Sequence, residues 1–306
     1  MSNNSYAVAM PEGDKRAGSA PRHMRLRLTR ASVTFILPAF NEALNLEPLV
    51  EKIGALSSKL PPYRILVVDD GSRDATAEIA AALQARFPVR LLRHGRNMGL
   101  HRTIWDGLQW AAASSGPDDI LVTLDADNTH EPHHVLDMLP WFEHGYDVVI
   151  ASRFRPGAGE IGLTASRRLL SRTANFMLKI LTPVPGVRDY TCGFRAYRAR
   201  VVQEALRVYG DRFIQATTFA AMAEILLKLR PLDVRAAEVP LVLRYDQKGG
   251  LSKMRVGRTI LDYGRVLWYV WTTRPDFSRE RTNAPIPLPS TLLCDETLVR
   301  DQVDPA

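Results

Sequence analysis

The sequence predicts one α/β domain with a mostly parallel central sheet flanked by helices. From residue 33 to residue 151, short apolar runs of strand length alternate with segments whose apolar residues recur at helical spacing. This alternation is typical of right-handed β-α-β units. Acidic residues directly follow two of the apolar runs, at the sheet edge where open α/β folds bind ligands. A chain of 306 residues that is 46% hydrophobic is long enough to bury such a core.

Strands and helices are predicted in strict alternation through the first half of the chain. Each strand is an apolar run, as at 65–68. Ser72 or Asp74 can cap the second helix, and Pro132 suits the first turn of the fourth. The predicted order is strand 33–38, helix 43–58, strand 64–69, helix 74–86, strand 88–93, helix 99–114, strand 119–124, helix 132–143 and strand 147–151.

The second half has a less regular pattern, which we interpret as an elaboration of the same domain. It predicts a Gly-containing loop after 152, a basic helix at 163–181, a mixed segment through 213, a helix at 216–230, a strand pair around 234–245 and a last helix from about 252. The domain therefore spans 31–272. Residues 1–30 are predicted to form a disordered basic leader and residues 273–306 a flexible tail.

The net charge limits the classes of binding partner, and the cysteine content indicates the cellular compartment. A net charge of +7 and a pI near 9.6 favour phosphates, nucleic acid or an acidic membrane surface. Two cysteines exclude a disulfide framework and fit a reducing cytoplasm. No signal peptide or spanning helix is predicted. The hydrophobic stretch 259–271 carries Asp262 and Arg265, so it can lie on a bilayer without crossing it.

An acidic pair follows the apolar run 120–124. Asp125 and Asp127 are two residues apart at a strand end, so both side chains point to the same face. Together they can bind one Mg²⁺ or Mn²⁺ that keeps its other positions for water and a diphosphate. The alternative is a solvated acidic turn, but the preceding strand and the second acidic cluster favour the metal site.

The second acidic cluster, Asp69-Asp70-Gly71-Ser72, follows the run 65–68. Its plain interpretation is a strand, a turn and a capped helix. Its functional interpretation makes Asp70 a hydrogen-bond acceptor for the base or ribose of a nucleotide. Neither a Gly-x-Gly-x-x-Gly nor a Walker A sequence is present, so a metal and basic side chains must hold the phosphates.

Several ordered motifs resemble those of the inverting family 2 glycosyltransferases. These are Leu37-Pro38-Ala39-Phe40-Asn41-Glu42, the run from Asp69 to Thr76, and Asp125-Ala126-Asp127. Further motifs resemble the dolichol-phosphate mannose synthase subgroup: Ser152-Arg153-Phe154, Thr191-Cys192-Gly193-Phe194-Arg195, Glu238-Val239-Pro240 and Gly250-Leu251-Ser252-Lys253. The resemblance covers residues 33 to about 265. It implies a GT-A fold and metal-dependent transfer of a sugar from GDP-mannose or a UDP-hexose to a polyprenyl or dolichyl phosphate.

The resemblance also implies roles for individual residues. The half 31–151 would bind the nucleotide sugar and the half 152–272 would form the acceptor side. Arg153 and Lys253 would contact phosphate, for which a guanidinium fork is well suited. The implied nucleoside contacts are Pro38, Phe40, Glu42, Val68 and Asp70, and the implied metal and diphosphate contacts are Asp125, Ala126 and Asp127. Catalysis would rest on Asp125, Asp127 and Arg153.

Two positions depart from the subgroup. Thr129 stands where a glutamine often follows the acidic pair, which leaves no third protein ligand for the metal there. Gln247 stands where an arginine usually precedes the Ser-Lys motif by six residues. Arg244 and Lys248 are the alternatives for the role of that arginine.

Other polar residues have two interpretations each. Arg168, Arg172, Asn175 and Lys179 share one face of the predicted helix 163–181, which is either an ordinary surface or a face that attracts anionic lipid. His130, His133 and His134 fit the start of a helix better than a zinc site. A hydroxyl acceptor would require a general base, for which Glu224 and Asp189 are candidates, whereas a lipid phosphate would not.

The first functional prediction is therefore a polyprenyl-phosphate glycosyltransferase at the cytoplasmic face of a membrane. The alternatives are a family 2 transferase with a soluble or polysaccharide hydroxyl acceptor, and a non-catalytic module that binds nucleotide sugars. Nucleic acid is not an expected partner, because no zinc-finger or RNP pattern occurs. The donor sugar, its base and the oligomeric state do not follow from the sequence.

Overall fold

The strands and helices of the protein alternate as predicted through the first half. The computed structural model describes residues 31–247, 256–273, 286–289 and 292–293. The first half contains β1 (Val33–Ala39), α1 (Ala43–Gly54), β2 (Tyr63–Asp69), α2 (Thr76–Leu83), β3 (Val89–His94), α3 (Leu100–Ala113), β4 (Ile120–Thr123), α4 (Val135–Glu143) and β5 (Val148–Ser152). The second half contains β6 (Gly159–Ile161), α5 (Ala165–Leu181), β7 (Arg195–Arg198), α6 (Ala199–Tyr209), α7 (Ala220–Leu229), β8 (Ala236–Pro240), β9 (Val242–Arg244), α8 (Val256–Thr272) and β10 (Leu292–Leu293).

A mixed sheet runs through the centre in the order β10-β3-β2-β1-β4-β7-β5-β8. The pairs β1–β2, β1–β4, β2–β3 and β5–β8 are parallel, whereas β7 is antiparallel to both of its neighbours and β10 is antiparallel to β3. The separate ribbon β6–β9 is parallel. The predicted α/β domain with a mostly parallel sheet flanked by helices is therefore confirmed.

Helix α3 packs against the middle of this sheet at very short range. A Cβ at Gly107 would lie 2.6 Å from Ile36 Cγ2 and 3.2 Å from Val68 Cγ2, so only glycine allows this approach. Trp105 and Leu108 on the same helix are almost completely buried. This packing fixes the amino-terminal end of α3 beside the carboxyl ends of β1 and β2.

The second half contains elements that the sequence prediction left unassigned. The mixed segment includes β7 and α6, and β7 carries two buried arginines. Arg195 donates to the carbonyl oxygens of Met222 and Tyr190, and Arg198 donates to that of Phe142. Because two of its four residues are arginines, β7 lacks the continuous apolar run that is typical of a central strand.

The predicted strand pair around 234–245 is wrong in its pairing. Both strands are present, but β8 joins the main sheet beside β5 and β9 pairs with β6. Leu241 lies between them, and its N–H donates to Ser152 O.

The first helix also ends earlier than predicted, at Gly54, where turns begin before Pro61 and Pro62.

The two ends of the chain differ in how much the structure describes. The predicted leader, 1–30, lies outside the described residues, as do Lys248 and the motif 250–253 with Lys253. Part of the predicted tail is described: Gln109 Nε2 donates to Pro287 O at 2.7 Å, and β10 pairs with the end of β3. Among the described helices, none combines the length and apolar character needed to cross a bilayer.

Candidate active site

A cavity of about 910 Å³ opens at the carboxyl ends of β1, β2 and β4. The strand order reverses at β1, which has β2 on one side and β4 on the other, so the cavity lies at the switch point where open α/β sheets bind ligands. Helices α5 and α8 form the opposite wall. The predicted site residues that line it are Pro38, Phe40, Glu42, Asp70, Asp125, Ala126, Asp127 and Arg153. Val68, also a predicted nucleoside contact, does not line the cavity, because it is fully buried in β2.

The acidic pair after β4 is held by its own turn. Asp127 Oδ1 accepts hydrogen bonds from the N–H and the hydroxyl of Thr129, at 3.2 and 2.7 Å. Asn128 adopts the left-handed conformation, with a φ of 60°, and this brings Thr129 back to the carboxylate. Thr129 therefore orients Asp127, in the place where the subgroup often has a glutamine.

His130 lies beside the acidic pair as a neutral ring. Burial lowers its pKa to about 4, so its Nδ1 can accept the hydrogen bond from Asp125 N–H at 3.4 Å. The ring packs against Phe194. The rings of His133 and His134 are in contact, with their planes tilted by 37°, in the following helical turn. His130 thus adds no positive charge to the two carboxylates.

The oxygen atoms of Asp125 and Asp127 suit a hard divalent cation. In the described part of the chain, no group of three or more His, Cys, Asp or Glu side chains could hold a metal. Two carboxylates facing a cavity would leave most coordination positions to water and a diphosphate, as Mg²⁺ and Mn²⁺ prefer. The residues therefore fit a divalent cation that is shared with the ligand.

Arg153 follows β5 and is tied to Asp189 beneath the cavity. Its Nε and Nη2 donate to the two carboxylate oxygens of Asp189, each at 2.8 Å, and Nη2 also donates to Thr191 Oγ1. Burial alone would lower the pKa of Arg153, but the charge of Asp189 raises it. Arg153 is therefore a fixed positive charge in the cavity wall: Nε and Nη2 are hydrogen-bonded, and Nη1 lies 3.9 Å from Glu160 Oε1.

Both candidates for a general base have structural partners. Asp189 is fully buried against Arg153. Glu224 forms an ion pair with Lys228 at 2.5 Å and accepts from the backbone N–H groups of Gln215 and Ala216. These contacts account for each carboxylate without a catalytic role.

Asp70 is held by a loop and by a histidine that the sequence analysis missed. Its carboxylate accepts from the N–H groups of Met98 and Gly99, each at 2.8 Å. His94 Nδ1 lies 2.8 Å from Asp70 Oδ1. The sequence position of His94 could have indicated this contact. His94 directly follows the predicted strand 88–93, just as Asp70 directly follows the predicted strand 64–69, and strand ends of a parallel sheet meet at one edge.

Gly71 allows the loop after β3 to approach Asp70. Its φ of +68° is left-handed, and a Cβ there would lie 2.5 Å from the backbone of Arg96. We expect Gly71→Ala to destabilise the fold by about 1–2 kcal/mol from the backbone conformation, and by about 1–3 kcal/mol more from the overlap. The overlap would also displace the donors to Asp70, and it should thereby weaken the nucleotide binding that the sequence predicts at this residue. Thermal unfolding and calorimetric titration with nucleoside diphosphates measure the two effects.

Gly210 provides a matched control for this substitution. It also has a positive φ, of 52°, but a Cβ there meets nothing within 4 Å. Gly210→Ala should show only the conformational cost and normal nucleotide affinity. Equal effects of the two substitutions on affinity would contradict the proposed role of the loop.

The wall formed by α5 and α8 is mainly apolar. Arg167 and Arg258 are at its border, and Arg167 donates to Tyr245 Oη at 2.9 Å. The apolar residues of α5 and α8 that line the cavity include Leu170, Ala174, Met177, Leu178, Ile260, Tyr263 and Leu267, and the neighbouring segments add Leu163, Phe219 and Leu243. The cavity thus has an acidic compartment at the sheet and an apolar compartment between the two helices.

The predicted basic face of α5 is only partly present. Asn175 is buried, where its amide contacts Thr191 Oγ1 and Tyr190 N–H. Arg168 pairs with Glu160 at 3.2 Å, whereas Arg172 and Lys179 are exposed. Arg244, one alternative for the missing arginine, is bound to Asp246 in an exposed pair and does not line the cavity.

Sequence comparisons point to one family. A model of the family described as Glycosyl transferase family 2 matches residues 34–206. The dolichol-phosphate mannosyltransferase of Pyrococcus furiosus is 31% identical over 237 residues, which are 77% of this chain and 62% of that protein. The undecaprenyl-phosphate mannosyltransferase of Micrococcus luteus is 30% identical over 226 residues, 74% of this chain and 88% of that protein. The chain thus spans less than two thirds of the Pyrococcus protein.

Structural comparison supports the same fold. The glucosyl-3-phosphoglycerate synthase of Mycobacterium tuberculosis, solved with Mn²⁺, UDP-glucose and phosphoglyceric acid, has a TM-score of 0.58. The identity is 19%, with 87% of this chain and 90% of that chain covered. At this identity the likeness concerns the fold alone.

Proposed function

Because the chain belongs to glycosyl transferase family 2 and has the GT-A fold, we propose that it transfers a sugar from a nucleotide-sugar donor to a polyprenyl phosphate. The observation that carries this proposal is the two-part cavity. The acidic pair and Asp70 lie in one compartment, and the apolar compartment between α5 and α8 is open to the first. A donor that is mostly phosphate and sugar matches the first compartment, and a long hydrocarbon with a phosphate end matches the second.

The donor would bind at the sheet edge. Asp70 would accept a hydrogen bond from the nucleoside, and Asp125 and Asp127 would hold a divalent cation against the diphosphate. When bound, this cation supplies Lewis-acid neutralisation of the charge that develops on the departing nucleoside diphosphate. Arg153 adds a positive charge nearby, fixed in position by Asp189.

The acceptor phosphate would attack the anomeric carbon from the face opposite the diphosphate. One phosphate oxygen forms the new bond to carbon while the bond from carbon to the diphosphate breaks. A phosphate monoester has a second pKa of about 6 and is largely dianionic at neutral pH, so it needs no general base. This agrees with the structural contacts that occupy Asp189 and Glu224. Arg167 and Arg258 border the apolar compartment and would attract the acceptor phosphate.

A transfer assay with labelled donors tests this function. GDP-mannose and UDP-hexoses are incubated with Mg²⁺ or Mn²⁺ and with either a polyprenyl phosphate or a panel of soluble sugars. We expect label in the organic phase, and none after chelation. Label only in water-soluble products would instead support a hydroxyl acceptor, and donor binding without any transfer would support a non-catalytic module.

We further propose that the same two helices dock on a membrane. Of eleven large hydrophobic side chains exposed in the described part of the chain, eight lie on α5 and α8. They form what we call the apolar surface: Leu169, Phe176, Met177, Ile180, Ile260, Leu261, Trp268 and Trp271. Soluble monomers rarely expose so many apolar side chains together. Met177 and Ile260 also line the cavity, so the apolar surface continues into the acceptor compartment.

The charges on these helices favour an anionic bilayer as the partner. Arg172, Lys179, Arg258 and Arg265 are exposed. The single acidic residue on the two helices, Asp262, is buried and accepts from Thr217. Basic residues around exposed tryptophans are typical of peripheral membrane binding.

Replacing both Trp268 and Trp271 by serine should weaken binding to vesicles that contain phosphatidylglycerol by about 10²-fold or more, because each buried aromatic side chain contributes about 1.5–3 kcal/mol and about 1.4 kcal/mol is tenfold. Co-sedimentation with vesicles measures the effect. Leu44→Ser is the matched control, since Leu44 is 82% exposed on α1, away from the apolar surface. Equal binding by the tryptophan variant and the wild type would refute the docking surface.

A further inference from the structure

Four charged side chains, three of them buried, form a row that ends at the cavity. His94 Nδ1 lies 2.8 Å from Asp70 Oδ1, and His94 Nε2 lies 3.0 Å from Asp106 Oδ2. Arg102 is the last member of the row. Its Nε and Nη2 lie 2.8 Å from Oδ2 and Oδ1 of Asp106, respectively. The side chains of His94 and Asp106 are completely buried, and that of Asp70 is 4% exposed. The row joins the ends of β2 and β3 to the first turns of α3.

The geometry requires a positively charged imidazole at His94. A neutral imidazole has one N–H and can donate to only one carboxylate, whereas the protonated ring donates from both nitrogens. Burial by itself would lower the pKa of His94, but the hydrogen bonds to Asp106 and Asp70 raise it to about 9. The charges then alternate in sign along the row, and each carboxylate has a cation beside it.

This arrangement holds the Asp70 carboxylate in place. Its carboxylate accepts from three donors, namely His94 Nδ1 and the N–H groups of Met98 and Gly99, and it also lines the cavity. An ionised carboxylate is an acceptor only, with about four lone-pair positions. Three are used by these donors, so a remaining one can face a ligand.

We infer that His94 is a positioning residue for the nucleotide: the Nδ1–H of its imidazolium orients the Asp70 carboxylate so that Asp70 accepts a hydrogen bond from a nucleoside N–H or O–H group. This inference rests on the proposed function, because it assumes that a nucleotide occupies the compartment beside Asp70. His94 itself does not reach the cavity, so it acts through Asp70.

Two amide variants separate this role from a purely structural one. In His94→Asn the side-chain amide can take the place of Nδ1 and donate to Asp70, but it does not reach Asp106. In His94→Gln the amide can take the place of Nε2 and donate to Asp106, but Asp70 loses the donor that Nδ1 provided. Both variants remove the buried positive charge, so a structural role predicts similar losses of stability and of affinity in the two.

The test is calorimetric binding of GDP and UDP with Mn²⁺, without any acceptor, together with thermal unfolding. We expect His94→Gln to weaken the binding of the preferred nucleotide by about 10–100-fold, as is typical for loss of a supporting contact. His94→Asn should retain most of the affinity at a similar unfolding midpoint. In transfer assays the loss should fall mainly on the donor KM, with a smaller change in kcat.

Two further observations make the inference falsifiable. Nitrogen-15 NMR of labelled histidine should show both ring nitrogens of His94 protonated at pH 7, and a neutral ring would overturn the inference. Nucleotide binding by the wild type with equal affinities in both variants would also overturn it, while leaving the proposed function intact. A wild type that binds neither nucleotide would instead refute the proposed function together with this inference.

Discussion

Replacing Asp127 by alanine is expected to lower the transfer rate by at least about 10²–10³-fold, the usual cost of removing one group that stabilises developing charge in a transition state. Asp127 and Asp125 are the two carboxylates that would hold the cation against the diphosphate. The fold should persist, since within the turn after β4 the substitution removes the two hydrogen bonds that Asp127 Oδ1 accepts from Thr129. One such hydrogen bond contributes about 1 kcal/mol, and the substitution also removes a negative charge close to Asp125.

A matched control distinguishes loss of the cation site from loss of any nearby carboxylate. Asp137→Ala removes an acidic residue from α4, where Asp137 is partly exposed and faces His134. We expect normal transfer from this variant. Initial rates, circular dichroism and Mn²⁺ titration in the presence of a nucleoside diphosphate are measured on both proteins. Full turnover by Asp127→Ala would exclude the assignment of the metal site.

The fold of the first half could be predicted because its signals are local. Strands β1, β2 and β4 are short apolar runs, and each is followed by residues suited to a turn or a helix start. The antiparallel β7 could not be found in this way. Its two arginines are buried, and their Nη groups donate to distant carbonyl oxygens, including Met222 O and Phe142 O. The local sequence pattern does not reveal these partners.

The candidate site, like the fold, could be predicted only in part from the sequence. Asp70, Asp125 and Asp127 were predictable, since carboxylates at the ends of parallel strands must meet at one edge of the sheet. Their supporting partners were not. His94 and Asp70 are 24 residues apart in the sequence, and Asp189 and Arg153 are 36 residues apart. Each pair therefore forms only after the strands have packed. The sequence therefore predicts which side chains line the cavity better than it predicts which ones hold them in place.

Asp189→Ala is expected to lower the free energy of unfolding by about 3–5 kcal/mol, the usual cost of breaking a buried ion pair by removing one partner. The substitution would leave the guanidinium of Arg153 with a side chain only 11% exposed and without its bidentate acceptor. It would also remove the acceptor for the N–H groups of Thr191 and Cys192, which stand next to the cavity. Urea unfolding followed by circular dichroism gives the change in free energy.

The acid dependence of stability provides a second readout for Asp189. Burial would raise its pKa, but the charge of Arg153 and several hydrogen bonds hold it below the ordinary value. Since the folded-state pKa is the lower one, the pair stabilises the fold fully above the unfolded-state pKa of about 4. This stabilisation is lost as the pH falls through the folded-state pKa. The wild type should therefore lose more stability on acidification than Asp189→Ala does.

Two comparison variants decide whether burial is the cause of this effect. Arg244 and Asp246 form a similar bidentate pair in an exposed position, so Asp246→Ala should leave the unfolding midpoint unchanged. The double variant Asp189→Ala with Arg153→Met removes both buried charges and should recover a large part of the lost stability. It also provides a test if the single variant does not fold. No recovery in the double variant would mean that Asp189 stabilises the protein through its backbone contacts rather than through the charge of Arg153.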